Sequence, residues 1–321
     1  MRKLFFWLHL VAGATAGAVI LLMAVTGVAL TYERQMLDWA NSSLRTAPAA
    51  DAQRLPLSTL LAAAAEKRGA APSGATWRAD VAAPVAVNFG REEMLYVNPY
   101  TGAALGEGAK GWREFFHVTT DLHRWLALEG ERRPFGKSIT GACNLAFLFP
   151  ALSGLYLWWP RQWRWKSVKA VLLFDPRLRG KMRDFNWHNV LGFWACLPLV
   201  VIIATGAVMS YPWANNLLFR LAGSEAPPPR PAGGPTGGGP RREGARPTAN
   251  FDSLNPLAAQ AAQRAADWRS ITLRLPATFV IEQSHRGRPD QKVTLNFDAK
   301  TGALTGEDAF TSYNRGRQWR L

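Results

Sequence analysis

Three long stretches of this chain carry no Asp, Glu, Lys or Arg: Leu4–Tyr32, Ser138–Pro160 and Phe185–Phe219, of 29, 23 and 35 residues. A bilayer core is crossed by roughly 20 apolar residues in helix, and surface helices of soluble proteins show a charged stripe opposite their apolar one. The three stretches are therefore read as transmembrane helices. Arg2 and Lys3 precede the first, as they would a signal peptide. Its apolar run, however, is about twice the 7–15 residues of a signal core, and His9 lies inside it. It is read as a retained helix.

The charges left over set the orientation. Residues 161–184 carry Arg161, Arg164, Lys166, Lys169, Arg177, Arg179, Lys181 and Arg183 against Asp175 and Asp184, a net +6 in a short loop. Residues 33–137 are nearly balanced, with 13 basic and 12 acidic side chains. The positive-inside rule puts the N-terminus and the 161–184 loop in the cytoplasm, with 33–137 and the chain beyond about 212 outside. For a bacterium this means the inner membrane and the periplasm. Much of the overall +15 is then a topology signal, and with no nucleic-acid motif beside it a nucleic-acid role is set aside. Trp7, Trp158, Trp159, Trp163 and Trp165 fall at the inner interface and Trp125 and Trp213 at the outer one, the ordinary aromatic belt.

The chain repeats itself. Leu8-His9-(x)3-Gly13, Thr26-Gly27 and Tyr32 match Trp187-His188-(x)3-Gly192, Thr205-Gly206 and Tyr211 at one offset of 179 residues. The outer segments repeat too: Trp77-Arg78 answers Trp268-Arg269, and 96–107 answers 296–307 around Thr101-Gly102 and Thr301-Gly302. Each copy reads as an Ala-rich helix (57–68, 256–266), then alternating strands (Val85, Val87, Phe89; Ile271, Leu273, Leu275), then a strand, a Thr-Gly turn and a short strand. The expected fold is an α-helical transmembrane bundle with two small α+β extracytoplasmic modules, by internal duplication. Its parts are helix 1 (1–32), module 1 (33–115), an outer segment with helix 2 (116–160), the basic loop (161–184), helix 3 (185–212), a Pro/Gly linker (224–249) and module 2 (250–321). The linker, with seven Pro and six Gly, reads as a tether without a core. The repeat calls for a fourth helix near residue 323, so the chain reads as cut short before it.

Five histidines carry the chemical signal. His9 and His188 are repeat equivalents at similar depth, and ionisable groups in a membrane are costly and usually functional. Two neutral imidazoles facing across a bundle suit bis-histidine haem b. Gly13, Ala14, Ala16, Gly17 and Gly192 would let a flat macrocycle approach the backbone. Hydrogen-bonded interfacial histidines and another metal stay open beside it, although no Cys or carboxylate at that depth completes a zinc set. His123 leads the second helix and is an axial-ligand candidate for a second haem. His117, six residues earlier, falls on a different helix face, as a haem-propionate contact or a plain interface residue. Arg124, Arg132 and Arg133 face propionates or lipid headgroups. Asp184 reads as a helix cap, His285 as solvated surface, and Cys143 and Cys196 as buried free thiols. No G-x-G-x-x-G, P-loop, H-E-x-x-H or Ser–His–Asp set is visible. Electrons would therefore come from a partner, the quinone pool or a cytoplasmic reductase.

These residues resemble a known family, the PepSY-associated transmembrane proteins, also described as iron-regulated membrane proteins. The resemblance is carried by Leu8-His9-(x)3-Gly13, Thr26-Gly27, Asp121-Leu122-His123-Arg124, 153–160 (SGLYLWWP) and 185–192 (FNWHNVLG), with PepSY-like modules around Thr101 and Thr301. It implies haem-containing ferric-siderophore reduction: His9 and His188 as inner haem ligands, His123 as an outer one, and electrons passing outward to Fe(III)-siderophore to release Fe(II). The chain departs from that pattern in lacking the fourth helix and its histidine. The rival expectation is a non-enzymatic membrane sensor or assembly partner whose modules bind a periplasmic protein or peptide. An uptake permease for iron chelates is a weaker third.

Overall fold

In the computed structural model, the residues described are 1–90, 93–159, 164–227, 251–265, 267–283 and 288–321, without the Lys166 side chain. In chain order the helices are α1 (Arg2–Thr31), α2 (Glu33–Ala40), α3 (Leu57–Arg68), α4 (Lys110–Trp125), α5 (Arg133–Trp158), α6 (Trp165–Leu172), α7 (Gly180–Ser210), α8 (Pro212–Leu221), α9 (Leu254–Arg264) and α10 (Arg315–Arg320). The strands are β1 (Gly74–Arg78), β2 (Val85–Phe89), β3 (Glu93–Val97), β4 (Ala104–Gly106), β5 (Ser270–Arg274), β6 (Thr278–Glu282), β7 (Lys292–Phe297) and β8 (Leu304–Ala309). They form two compact units, Met1–Glu33 with Glu114–Ala226, and Arg34–Arg113 with Pro227–Trp319.

The first unit holds three helices long and apolar enough to cross a membrane: Arg2–Thr31, Gly130–Trp158 and Gly180–Ser210. Helix α5 packs along both α1 and α7. Leu21, Val25 and Val28 on α1, and Leu197, Val201, Ile202 and Met209 on α7, stay exposed. An outward surface so apolar requires lipid around it, and the chain is a membrane protein. Several of the polar groups that lie inside are bonded to backbone carbonyls of a neighbouring helix. Asn144 on α5 donates to the Ile203 carbonyl of α7 at 2.9 Å. Arg2 donates to the Leu157 and Trp159 carbonyls at 3.0 and 2.8 Å, satisfying oxygens that the end of α5 leaves open.

The third charge-free stretch breaks close to the expected end of helix 3 at 212, since α7 stops at Ser210. Its backbone turns extended at Tyr211 (φ −120°, ψ 129°), and Pro212 starts α8 at the position where a missing N–H costs nothing. Asp184 does not cap α7, which begins at Gly180; its carboxylate takes two bonds from Arg183, at 2.9 and 3.0 Å.

In the second unit the strands form one antiparallel sheet in the order β4-β3-β2-β1-β5-β6-β7-β8. The two segments around 74–106 and 270–309 are thus one body, joined where β1 pairs with β5 over five residues, Gly74↔Arg274 to Arg78↔Ser270. Alternation puts Val85, Val87, Phe89, Leu95 and Val97 on the same buried face as Ile271, Leu273, Phe279, Ile281 and Leu295. Leu60, Leu61 and Ala64 of α3 and Leu257 and Ala261 of α9 pack into that core, each fully buried Leu, Ile or Phe stabilising by roughly 1.5–3 kcal/mol. Asn255 of α9 fixes α3 by accepting from the Ser58 N–H at 3.0 Å and donating to its Oγ at 2.8 Å. The Trp-Arg pair has a local role. Trp77 sets its ring edge-on to Phe279 at 6.4 Å across the join, and Arg78 pairs with Asp38 at 2.6 Å. The linker reading and those for Trp163 and His285 fall at 228–250, 163 and 285, outside the described residues.

Candidate histidine site

Helices α1 and α7 flank α5, and their repeat-equivalent histidines meet there. The His9 and His188 rings have centroids 6.1 Å apart and planes at 86°. Ser153 on α5 lies 3.0 Å from His9 Nδ1 and fixes that ring's orientation. Gly154 lets the His9 ring lie against the α5 backbone; a side chain there would begin 3.4 Å from His9 Cε1. Gly13 and Gly192 each follow their histidine by four residues, one turn along the same face. A Cβ at either would meet nothing within 4 Å. Gly17 instead abuts Phe147, and Ala16 is buried. Gly13 is half-buried and Gly192 exposed, so each leaves its helix surface open one turn from its histidine.

His123 is held separately, near the other end of α1. Thr26 Oγ1 lies 2.9 Å from His123 Nδ1 and 2.7 Å from the Leu22 carbonyl. A hydroxyl has one hydrogen, and the carbonyl takes it. The contact is then Nδ1–H donating to Oγ1, which leaves the lone pair on His123 Nε2, the tautomer a metal ligand needs. Gly27 provides the space: a Cβ there would sit 3.2 Å from His123 Cε1. Thr26-Gly27 is thus a socket for His123. From His9 to Thr26 along α1 is a rise of about 25 Å.

A tight corner presents His123. Leu126 and Ala127 adopt left-handed φ values of 54° and 56° between α4 and α5, a conformation costing on the order of 1–2 kcal/mol per residue. The surroundings hold it. Arg133 donates to the buried Asp121 carboxylate at 3.2 Å and lies 4.5 Å from the Trp125 ring centre, and Arg124 lies 5.0 Å from the same ring. Arg133, expected to face a propionate or a headgroup, is engaged inside the corner. Arg132 is exposed, as is His117.

The structure therefore brings His9 and His188 together, keeps His123 apart with Thr26, and leaves His117 at neither. Ser153, Thr26 and Asp121 were missed as partners, although each stands in a motif that the sequence displays. Among the described residues no group of three or more His, Cys, Asp or Glu side chains is arranged to hold a metal. Both cysteines are free thiols, with Cys196 buried and 3.5 Å from the Ala151 carbonyl. The PepSY-associated TM region, as a family, matches residues 6–293, about nine-tenths of the chain. No curated protein matches it significantly.

Proposed function

The chain belongs to the PepSY-associated transmembrane family, and from that premise we propose that it carries electrons across the membrane through a b-type haem held by His9 and His188. One observation carries the reading, the 6.1 Å separation of the two imidazoles. Gly13 and Gly192, one turn from their histidines, would leave a flat group free to approach either helix. Bound there, haem supplies one-electron iron chemistry whose potential follows its axial ligands and surroundings. Ser153 holds the His9 ring in place, and α5 fixes the spacing by packing on both neighbours.

His123, in its Nε2-basic tautomer, is the candidate ligand for a second haem toward the other face. In this reading the N-terminus and the 161–184 loop are cytoplasmic, the sheet is periplasmic and its two halves are duplicates. Electrons from quinone or a cytoplasmic reductase reduce Fe(III) in a siderophore, one electron per iron. Oxygen-rich chelators hold the softer Fe(II) less tightly. The test is a reduced-minus-oxidised spectrum of the full chain purified from haem-replete cells, with haem counted per chain. A b-type spectrum at one haem or more per chain supports the proposal.

A second reading, a non-enzymatic sensor or assembly partner, is favoured by the sheet. Among the described residues its end strands β4 and β8 each pair on one side only, and an unpaired edge accepts an added strand from another protein. Colourless full-length protein that captures a periplasmic partner through this sheet would establish that reading instead.

A further inference from the structure

Helix α6 and the segment after it are fixed to the start of α7 by one buried side chain. Asn186, only 5% exposed, donates through Nδ2 to the Ala170 and Leu173 carbonyls at 2.6 and 3.2 Å, and its Oδ1 accepts from the Asp175 N–H at 3.1 Å. Trp194 Nε1 donates to the Leu172 carbonyl at 3.0 Å, and the Phe174 and Trp187 rings meet edge-on at 6.0 Å. Carbonyls that the end of a short helix leaves open are thus satisfied from α7. A basic loop would otherwise be free to move; here it is a shaped surface.

That surface mixes two chemistries. Trp165 is 73% exposed, and Leu173, Phe174, Met182 and Phe185 are exposed with it. Among them stand Arg164, Lys169, Arg177, Arg179 and Lys181, all exposed and none in an ion pair among the described residues. The acids are two. Asp184 is paired with Arg183, and Asp175 accepts from the Arg177 backbone N–H. Aromatic and aliphatic side chains beside unpaired cations are what an anionic lipid interface selects: the rings enter the headgroup layer and the cations meet phosphates. A soluble acidic protein would pair the cations yet gain little from Trp165 and Phe185, and a free phosphate would gain nothing from them.

We propose that α6 and residues 173–183, clamped by Asn186, form a docking surface for the headgroups of anionic phospholipids. The surface adjoins His188, but the inference stands on the clamp and the exposed cations and needs no haem. The test uses the full chain in neutral detergent with a fluorescent cardiolipin as probe and phosphatidylcholine as control. Saturable cardiolipin binding, at least ten-fold tighter than phosphatidylcholine and weakened by salt, is expected. Arg164→Gln/Lys169→Gln/Arg177→Gln/Lys181→Gln should weaken it ten-fold or more with helix content unchanged. Asn186→Ala, which keeps every charge, should weaken it as well. Equal binding of both lipids, an unaltered quadruple variant, or full displacement by millimolar inorganic phosphate would overturn the proposal. So would an acidic soluble protein that binds this surface while cardiolipin does not.

Discussion

Hydrogen-bond inventory at single residues gives the sharpest expectations. Thr26→Val removes the acceptor of His123 Nδ1–H while keeping side-chain volume. A donor left unpaired in a buried contact costs about 1–3 kcal/mol, so the variant should melt earlier in a denaturant series, and Thr26→Ser should restore stability. The Thr-Gly turns supply a pH expectation. Asp298 accepts from the Lys300 and Thr301 N–H groups at 2.8 and 2.7 Å, and Asn98 plays the same part for Tyr100 and Thr101. Backbone N–H groups, first that of Thr301, hold the Asp298 carboxyl below its ordinary value. A lowered folded value means that this contribution is present above the unfolded carboxylate range and is lost as pH falls through the folded one. Asp298→Asn should therefore lose less stability than the parent between neutral and strongly acidic pH, read by thermal denaturation at each pH.

Among the elements, the α4–α5 corner has the most to lose. Asp121→Ala removes the acceptor of the half-buried Arg133 guanidinium, a loss of about 1–3 kcal/mol. The expected outcome is a lower melting point together with a disturbed His123, seen as a shifted imidazole resonance. The spans α1, α5 and α7 were legible because missing charge is a long-range signal that survives small errors of boundary. Helix α6 was hidden because its eight residues sit inside a loop rich in cations and read as part of it. The strands of each outer segment were legible from alternation, as at Val85, Val87 and Phe89. Their fusion was not: Thr76 and Thr272 share a hydrogen bond at 3.0 Å across 196 residues of chain, and no local pattern encodes so distant a partner. Within the site, the equivalence of His9 and His188 was visible as a repeat. Ser153, Thr26 and Asn186 were visible only as motif letters, because a hydrogen-bond partner on another helix leaves no period in the sequence.

The whole molecule couples a bundle that needs lipid to a sheet that needs none, and family membership covers both. Its functional claim rests on two side chains. The most direct measurement is the reduced-minus-oxidised spectrum and haem content of the parent beside His9→Ala, His188→Ala and His117→Ala, all purified as full chains from haem-replete cells. The account predicts haem in the parent, loss of the same signal in both His9→Ala and His188→Ala, and its retention in His117→Ala. A colourless parent, or a His188→Ala variant with its haem and spectrum unchanged, would contradict it.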